Sequence, residues 1–199
     1  IIINDASTDD SLDKLKQIND SRIRIYNNEI NYGTYISINL GIKVSNGEYI
    51  LLQGSDDYST INRVEKMIKV LKNSNYNMCY SNWLRGFNQQ IAIEGNFMFK
   101  KHILNTLGYF DNTRIGGDTE FIKRYKLKYG NNIFYINDIL NVASIHNNSL
   151  THNKESGIKS INRINYIVSY IIYHKSIQKT QNYYFSFLYK KKIYKLYNI

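Results

Sequence analysis

Apolar positions along the chain fall into two patterns. Short runs bounded by polar corners read as strands: "IIIND" at residues 1–5, the alternating "RIRIY" at 22–26, "EYILLQ" at 48–53 and "NMCYSN" at 77–82. The unbroken apolar stretch of "EYILLQ" is that of a strand covered on both faces. Between these runs the spacing turns helical. "STDDSLDKLKQI" (7–18) offers Ser7 or Thr8 as cap, acids in the first turn, and Leu12, Leu15 and Ile18 along one side. "TYISINLGIKV" (34–44) reads as a helix ending before an Asn-Gly turn. In "RVEKMIKVLKNS" (63–74) Val64, Met67, Ile68 and Leu71 recur at three-then-four spacing. Strand and helix thus alternate at short intervals. This predicts an α/β fold with a mainly parallel sheet flanked by helices, joined by right-handed crossovers.

Beyond Trp83 the pattern loosens. "IAIEGNFMFKKHILNTLGYF" (91–110) reads as strand then helix, "DTEFIKRYKLKYG" (118–130) as helix, and "NNIFYINDILNVASIH" (131–146) as one or two strands. After Lys154, "GIKSINRINYIVSYIIYHKSI" and "NYYFSFLYKKKIYKLY" both read as helices. The expected organisation is a body over residues 1–154 and a basic, Tyr- and Lys-rich helical extension over 155–199.

Composition narrows the function classes. The 199 residues, 43% of them hydrophobic, can fill a core. A single cysteine, Cys79, excludes a disulfide framework and any multi-cysteine zinc site. No stretch approaches the roughly 20 apolar residues of a membrane span, and no signal segment opens the chain, so a cytoplasmic setting is expected. The chain begins at Ile1 inside an apolar run, which gives the expectation that part of a strand or more precedes it. The absence of proline and the 19 tyrosines fit a coding bias toward A and T. The charge is uneven. From Glu155 to Ile199 eight Lys or Arg face one acid, so this segment carries +7 of the net +10 and residues 1–154 only +3. That argues against nucleic acid as the partner of the body. The tail's basic, aromatic "YKKKIYKLY" leaves three readings open: packing with a solvated basic face, which is favoured, peripheral contact with a membrane surface, and, least favoured, nucleic acid.

Ligands of open α/β sheets sit at the carboxyl ends of strands. Asp5 and the pair Asp56–Asp57 both follow strands directly, so they are expected on one rim. The pair reads either as a solvated helix cap or as a divalent-cation site, with one carboxylate on the metal and its neighbour, pointing the other way along an extended segment, on a sugar hydroxyl. Asp5 reads as an Asx-turn or as an acid reading a nucleobase or ribose edge. No glycine-rich phosphate fingerprint follows it, which speaks against a hydride-transfer cofactor and a P-loop nucleotide site. "RIGGDTEFIKR" (114–124) places Asp118 at the mouth of a helix behind two glycines, as an N-cap or as a general base. His146 and His152 flank "NNSLT" and read as structural or as metal ligands.

Three blocks, "IIINDASTDDSLDKL", "NYGTYISINLGIKVSNGEYILLQGSDDYS" and "LGYFDNTRIGGDTEFIKRY", in this order and at about this spacing, resemble the family 2 glycosyltransferases of GT-A fold. The resemblance covers residues 1 to about 152. It implies inverting transfer of a sugar from a nucleotide-diphosphate donor, usually a UDP-sugar, to a hydroxyl of a glycan, lipid or protein acceptor, with Mn²⁺ or Mg²⁺. By motif match Asp5 corresponds to the nucleobase-binding acid, Asp56 to the acid near ribose and donor sugar, Asp57 to the metal ligand and Asp118 to the base. His146 corresponds to the histidine that some relatives bring to the metal or phosphates. The sequence departs from the family in three places. An opening strand of the kind V-S-V-I-I-P-x-Y-N is absent. Ser37-Ile38-Asn39 stands where Ala-Arg-Asn is usual, and Gly54 stands where an acid often precedes the doublet. These departures keep two other readings open: an inactive remnant that binds a nucleotide or partner, and a basic binding module acting through the tail.

Overall fold

A computed structural model describes residues 1–85, 90–92, 96–144, 154–187 and 194–197. The order of elements is β1 (Ile2–Asn4), α1 (Ser11–Lys16), β2 (Ile25–Asn28), α2 (Thr34–Val44), β3 (Tyr49–Leu51), β4 (Asp57–Ser59), α3 (Arg63–Lys72), β5 (Met78–Arg85), β6 (Gln90–Ala92) and β7 (Phe97–Lys100). A 3-10 turn (Lys101–Ile103) leads into α4 (Leu104–Leu107), followed by α5 (Gly117–Tyr129), β8 (Ile133–Ala143), α6 (Ile161–Thr180) and β9 (Tyr194–Tyr197).

The strands form two sheets, β1-β2-β9 and β3-β7-β5-β8-β4, with β6 beside β5. Alternation along the central strands sends side chains to two cores. Met78, Phe97 and Phe99 enter one cluster with Phe110, Phe121, Ile122 and Tyr125 of α5 and the loop before it. Cys79 and Met98 enter the other, with Met67 and Leu71 of α3. Both faces of β5 and β7 are therefore covered, as their dense apolar sequence requires. Phe110 and Phe121 stack at 4.3 Å between centroids at the middle of the larger core.

Strand directions are mixed rather than mainly parallel. β1 and β2 run parallel, as do β5 and β8, and β3 runs the same way as β5 because β7 lies antiparallel to both. Chain length explains one of the reversals. Four residues separate β5 from β6, where a parallel crossover needs about a dozen or more, so β6 returns antiparallel, and β7, four residues further on, runs on along β5 in the same direction as β6. Three further departures from the expected elements stand out. Asp57–Ser59 is a short strand, β4, antiparallel to β8, where the approach to a helix was expected. The first helix starts at Ser11 with Asp10 at its cap and no side-chain cap bond, while Ser7 Oγ donates instead to Asn4 Oδ1 at 2.5 Å. The described residues in the second half of the extension are not helical: 182–187 form no helix and 194–197 pair antiparallel with β2. The edge of β2 that β1 leaves open supplies backbone partners for this short strand, and its Tyr194 and Tyr197 are of a residue type that favours strands.

The first half of the extension is α6, as expected. Its Ser160 cap accepts from the Arg163 backbone N–H at 3.2 Å, and Tyr170, His174 and Ile177 are buried against the body. Among the described residues no helix is long and apolar enough to cross a membrane.

Cys79 is fully buried, and burial pushes its thiol up to about 12. The thiolate is the reactive form. Native protein at neutral pH is therefore expected to resist iodoacetamide, with full labelling in denaturant. Mass spectrometry distinguishes the two, and rapid native labelling would contradict the packing described for α3 against β5.

Candidate active site

The rim begins at Asp5, just after β1. Its Oδ1 accepts from Asn28 Nδ2 at 2.7 Å and from the Tyr32 backbone N–H at 2.9 Å, and its Oδ2 accepts from the Gly33 N–H at 2.8 Å. An ionised carboxylate offers about four acceptor sites, so Asp5 organises the entrance to α2 and keeps capacity for one more donor. Gly33, at φ +91°, closes that turn. A side chain there would also collide with Arg114, whose guanidinium donates to Asn31 Oδ1 at 2.8 Å and to the Asn31 carbonyl at 2.9 Å. The loop before α5 is thus clipped to the loop before α2.

A second clip lies one turn along α2. Asn39 is fully buried and grips the backbone of Phe110 from both sides, accepting from its N–H at 3.0 Å and donating to its carbonyl at 2.8 Å. A third reaches the aspartate at the head of α5: the Tyr35 hydroxyl donates to Asp118 Oδ1 at 2.8 Å. Burial, then the Asp118 charge, pushes the Tyr35 phenol well above its usual range, so it remains the donor. Asp118 Oδ1 also accepts from the Thr119 N–H at 2.8 Å. The two glycines in front of Asp118 do different jobs. Gly116 sits at φ +70°, the left-handed turn into the helix. At Gly117 a Cβ would lie 2.8 Å from Tyr35 Cγ, so this glycine makes room for the Tyr35 ring.

Asp56 and Asp57 follow β3 across a turn at residues 55–56. They do not diverge as expected for an extended segment, because Asp56 lies in the turn and only Asp57 is in β4. Asp57 Oδ2 and Asp56 Oδ1 come to 3.0 and 3.2 Å of the point where a Cβ on Gly54 would sit. Gly54 is therefore the space that the two carboxylates share. Beneath them Arg63, 2% exposed, holds the turn: it donates to Gln53 Oε1 at 2.5 Å, Ser59 Oγ at 2.8 Å, the Leu52 carbonyl at 3.1 Å and Asn96 Oδ1 at 2.5 Å. Burial lowers its guanidinium to about 10 against the opposing pull of Asp57, and it stays a cation at neutral pH. The sequence carries no local sign of this role. Arg63 opens an amphipathic helix, where a solvated arginine is the default.

The structure therefore joins Asp5 and Asp118 through residues 31–35, and Asp56 to Asp57 over Gly54. Leu52, at the foot of the acid pair, packs on the core cluster that contains Tyr35. Two carboxylate oxygens over a shared space suit a hard cation that completes its shell with phosphate and water. Among the described residues no third carboxylate, histidine or cysteine joins them. His146 and His152 lie outside the described residues. A cavity of about 800 Å³, lined by Glu48, Tyr49, Lys100, Lys101 and His102, lies at the opposite end of β3 from the acid pair.

The sequence profile described as "Glycosyl transferase family 2" matches residues 1–135. The chain belongs to glycosyl transferase family 2. Within it, the chain is 34% identical over 83 residues to an Escherichia coli UDP-Glc:alpha-D-GlcNAc-diphosphoundecaprenol beta-1,3-glucosyltransferase, WfaP, covering 42% of this chain and 33% of that protein. It is 35% identical over 78 residues to an uncharacterized glycosyltransferase of Haemophilus influenzae, covering 38% and 24%. The chain thus spans a quarter to a third of the length of these curated relatives. Among solved structures, it is similar to residues 1–349 of S. aureus TarS in complex with UDP-GlcNAc, with TM-score 0.64, 17% identity and coverage of 72% and 48%. It is also similar to glucosyl-3-phosphoglycerate synthase from Mycobacterium tuberculosis in complex with Mn²⁺ and UDP-glucose, with TM-score 0.60, 12% identity and coverage of 89% and 67%. These neighbours establish the GT-A fold for this family 2 chain.

Proposed function

We propose that this chain carries the donor site and the base of an inverting glycosyltransferase that moves a sugar from a nucleotide diphosphate, a UDP-sugar by preference, to an acceptor hydroxyl. The observation that supports this most is the convergence of Asp56 and Asp57 on the space above Gly54. A cation held by both carboxylates would add to the positive charge that Arg63 already presents to Asp57. Asp57 and Asp56 would hold Mn²⁺ or Mg²⁺ at this point, and the bound ion would offset charge on the departing diphosphate. Asp5 would offer its remaining acceptor capacity to the nucleobase. The UDP and UDP-sugar complexes of the structural neighbours and the UDP-Glc donor of the E. coli relative favour uridine; that relative's diphosphoundecaprenol-linked acceptor also favours a lipid-linked sugar as acceptor.

Asp118 would act on the acceptor. As its carboxylate takes the hydroxyl proton, the acceptor oxygen bonds to the anomeric carbon from the face opposite the nucleotide. The sugar–diphosphate C–O bond breaks and its electron pair leaves with the nucleoside diphosphate. A single displacement needs one base and inverts the anomeric centre. The extension braces the loop that carries this base: Tyr166 of α6 donates to Asp111 Oδ2 at 3.0 Å, and its ring lies 3.5 Å from where a Cβ on Gly116 would sit.

Thermal-shift titration tests the donor site. UDP with Mn²⁺ is expected to raise the melting temperature, and EDTA to abolish the shift. No shift with any nucleotide or nucleotide sugar would overturn the proposal, whereas binding without turnover would favour a nucleotide-binding remnant. Arg63→Met should weaken Mn²⁺-dependent UDP binding about ten-fold or more, since groups that orient metal ligands usually contribute that much. Calorimetry reads this directly; unchanged affinity would show that the turn keeps its shape without the guanidinium.

A further inference from the structure

Asp118 offers two carboxylate oxygens, and their surroundings differ. Oδ1 accepts two hydrogen bonds, from the Tyr35 hydroxyl and from the Thr119 N–H, both at 2.8 Å. Among the described residues no hydrogen bond reaches Oδ2, and the side chain is half-buried. The Thr119 N–H belongs to the next residue and moves with Asp118. The Tyr35 hydroxyl comes from a different element, 83 residues away in sequence, and is the group that fixes the carboxylate against the rest of the protein.

Tyr35 itself has little freedom. It is 8% exposed, its ring stacks on Phe110 at 5.9 Å between centroids and 23° between planes, and Gly117 lies close against its Cγ end. A rotamer change would leave a buried hydroxyl without an acceptor, which is costly. The ring, the glycine and the carboxylate therefore form one rigid unit that spans α2 and the start of α5.

We propose that Tyr35 is the positioning residue of this site, turning the Asp118 carboxylate so that Oδ2 is the oxygen that takes the acceptor proton; the inference rests on the reading of Asp118 as the base. Proton transfer needs the base within about 3 Å of the hydroxyl and correctly aimed. A carboxylate free to rotate would present either oxygen. With Oδ1 held by two donors, Oδ2 receives the proton while the acceptor oxygen bonds to the anomeric carbon. Gly117 takes part in this arrangement by leaving space for the tyrosine ring, not by flexibility of its own backbone.

Tyr35→Phe in the full chain keeps the ring and removes only the hydroxyl. It is expected to lower kcat about 10- to 100-fold with the donor KM within about two-fold, because a misaimed base slows the chemical step without touching the donor. Gly117→Ala, which pushes the ring aside while keeping the phenol, should show the same split. A crystal structure of Tyr35→Phe should find the Asp118 carboxylate rotated or in two orientations. Wild-type kcat in Tyr35→Phe, alongside an inactive Asp118→Asn, would overturn the inference and leave the base reading standing. An Asp118→Asn protein that turns over normally would overturn both. An Asp118 carboxylate that keeps its orientation in crystals of Tyr35→Phe would overturn the inference whether or not a donor has been found.

Discussion

Asp118→Asn is expected to lower kcat by about 10² to 10⁴, the usual contribution of a positioned general base, while UDP affinity stays at the wild-type level. The amide keeps the volume of the carboxylate and can still accept from Tyr35 and Thr119 through its oxygen, so the loop has no reason to move. What it loses is the ability to take a proton. Asp5 and the acid pair, the groups proposed to hold the donor, lie on other elements and are held by their own partners, Asn28, Tyr32 and Gly33 for Asp5 and the Arg63-braced turn for the pair. Turnover and UDP binding should therefore separate. Steady-state kinetics with calorimetry in parallel measures both. A joint loss of binding and turnover would mean that Asp118 holds the local fold rather than the reaction.

Glu120→Ala is expected to be the most destabilising of these changes, by about 3 to 5 kcal/mol, the cost of breaking a buried ion pair from one side. Glu120 is 1% exposed; its Oε1 accepts from Arg124 Nε at 2.7 Å and from His174 Nε2 at 2.9 Å, and its Oε2 from Arg124 Nη2 at 2.9 Å. Arg124, fully buried, also donates to the carbonyls of Leu107, Tyr109 and Tyr183. This cluster ties α5 to α6, to the turn at Gly108 and to the segment after α6, so removing Glu120 leaves a buried guanidinium without its counter-charge. Urea unfolding should show a lower midpoint, and loss within about 1 kcal/mol of wild type would contradict the burial. The same carboxylate sets a pH dependence. Burial alone would raise it, but the bonds from His174 and Arg124 together outweigh that and hold it below its usual value. Its stabilising contribution is therefore complete above the unfolded-chain value of about 4.3 and is lost as pH falls through the lower folded-state value. Glu120→Gln should lose less stability than wild type on acidification below about pH 4.

Much of the fold is legible where periodicity and burial coincide. Met67 and Leu71 in α3, and Phe121, Ile122 and Tyr125 in α5, sit at helical spacing and are fully buried. Strand direction is not written in the same way. Nothing in "NFMFK" says that β7 enters antiparallel between β3 and β5; the short link between β5 and β6 reverses the chain, and β7 continues in the direction of β6. The last strand was hidden in a Tyr- and Lys-rich segment that reads as a helix until the open edge of β2 is known. The site divides along the same line. Asp5, Asp56, Asp57 and Asp118 announce themselves as acids after strands or glycines. Tyr35 and Arg63 do not, because their roles depend on partners far away in the chain: Asp118 for Tyr35, and Asn96 and Asn141 among those of Arg63. Gly54 and Gly117 look like turn residues in sequence, yet each leaves room for side chains that must converge.

The most direct measurement is the anomeric configuration of the first product formed from an α-linked UDP-sugar with Mn²⁺, read by proton NMR from the coupling constant at the new glycosidic bond. A single displacement aided by one base predicts a β-linked product. An α-linked product would require a second displacement or a different nucleophile, and would contradict the role given to Asp118.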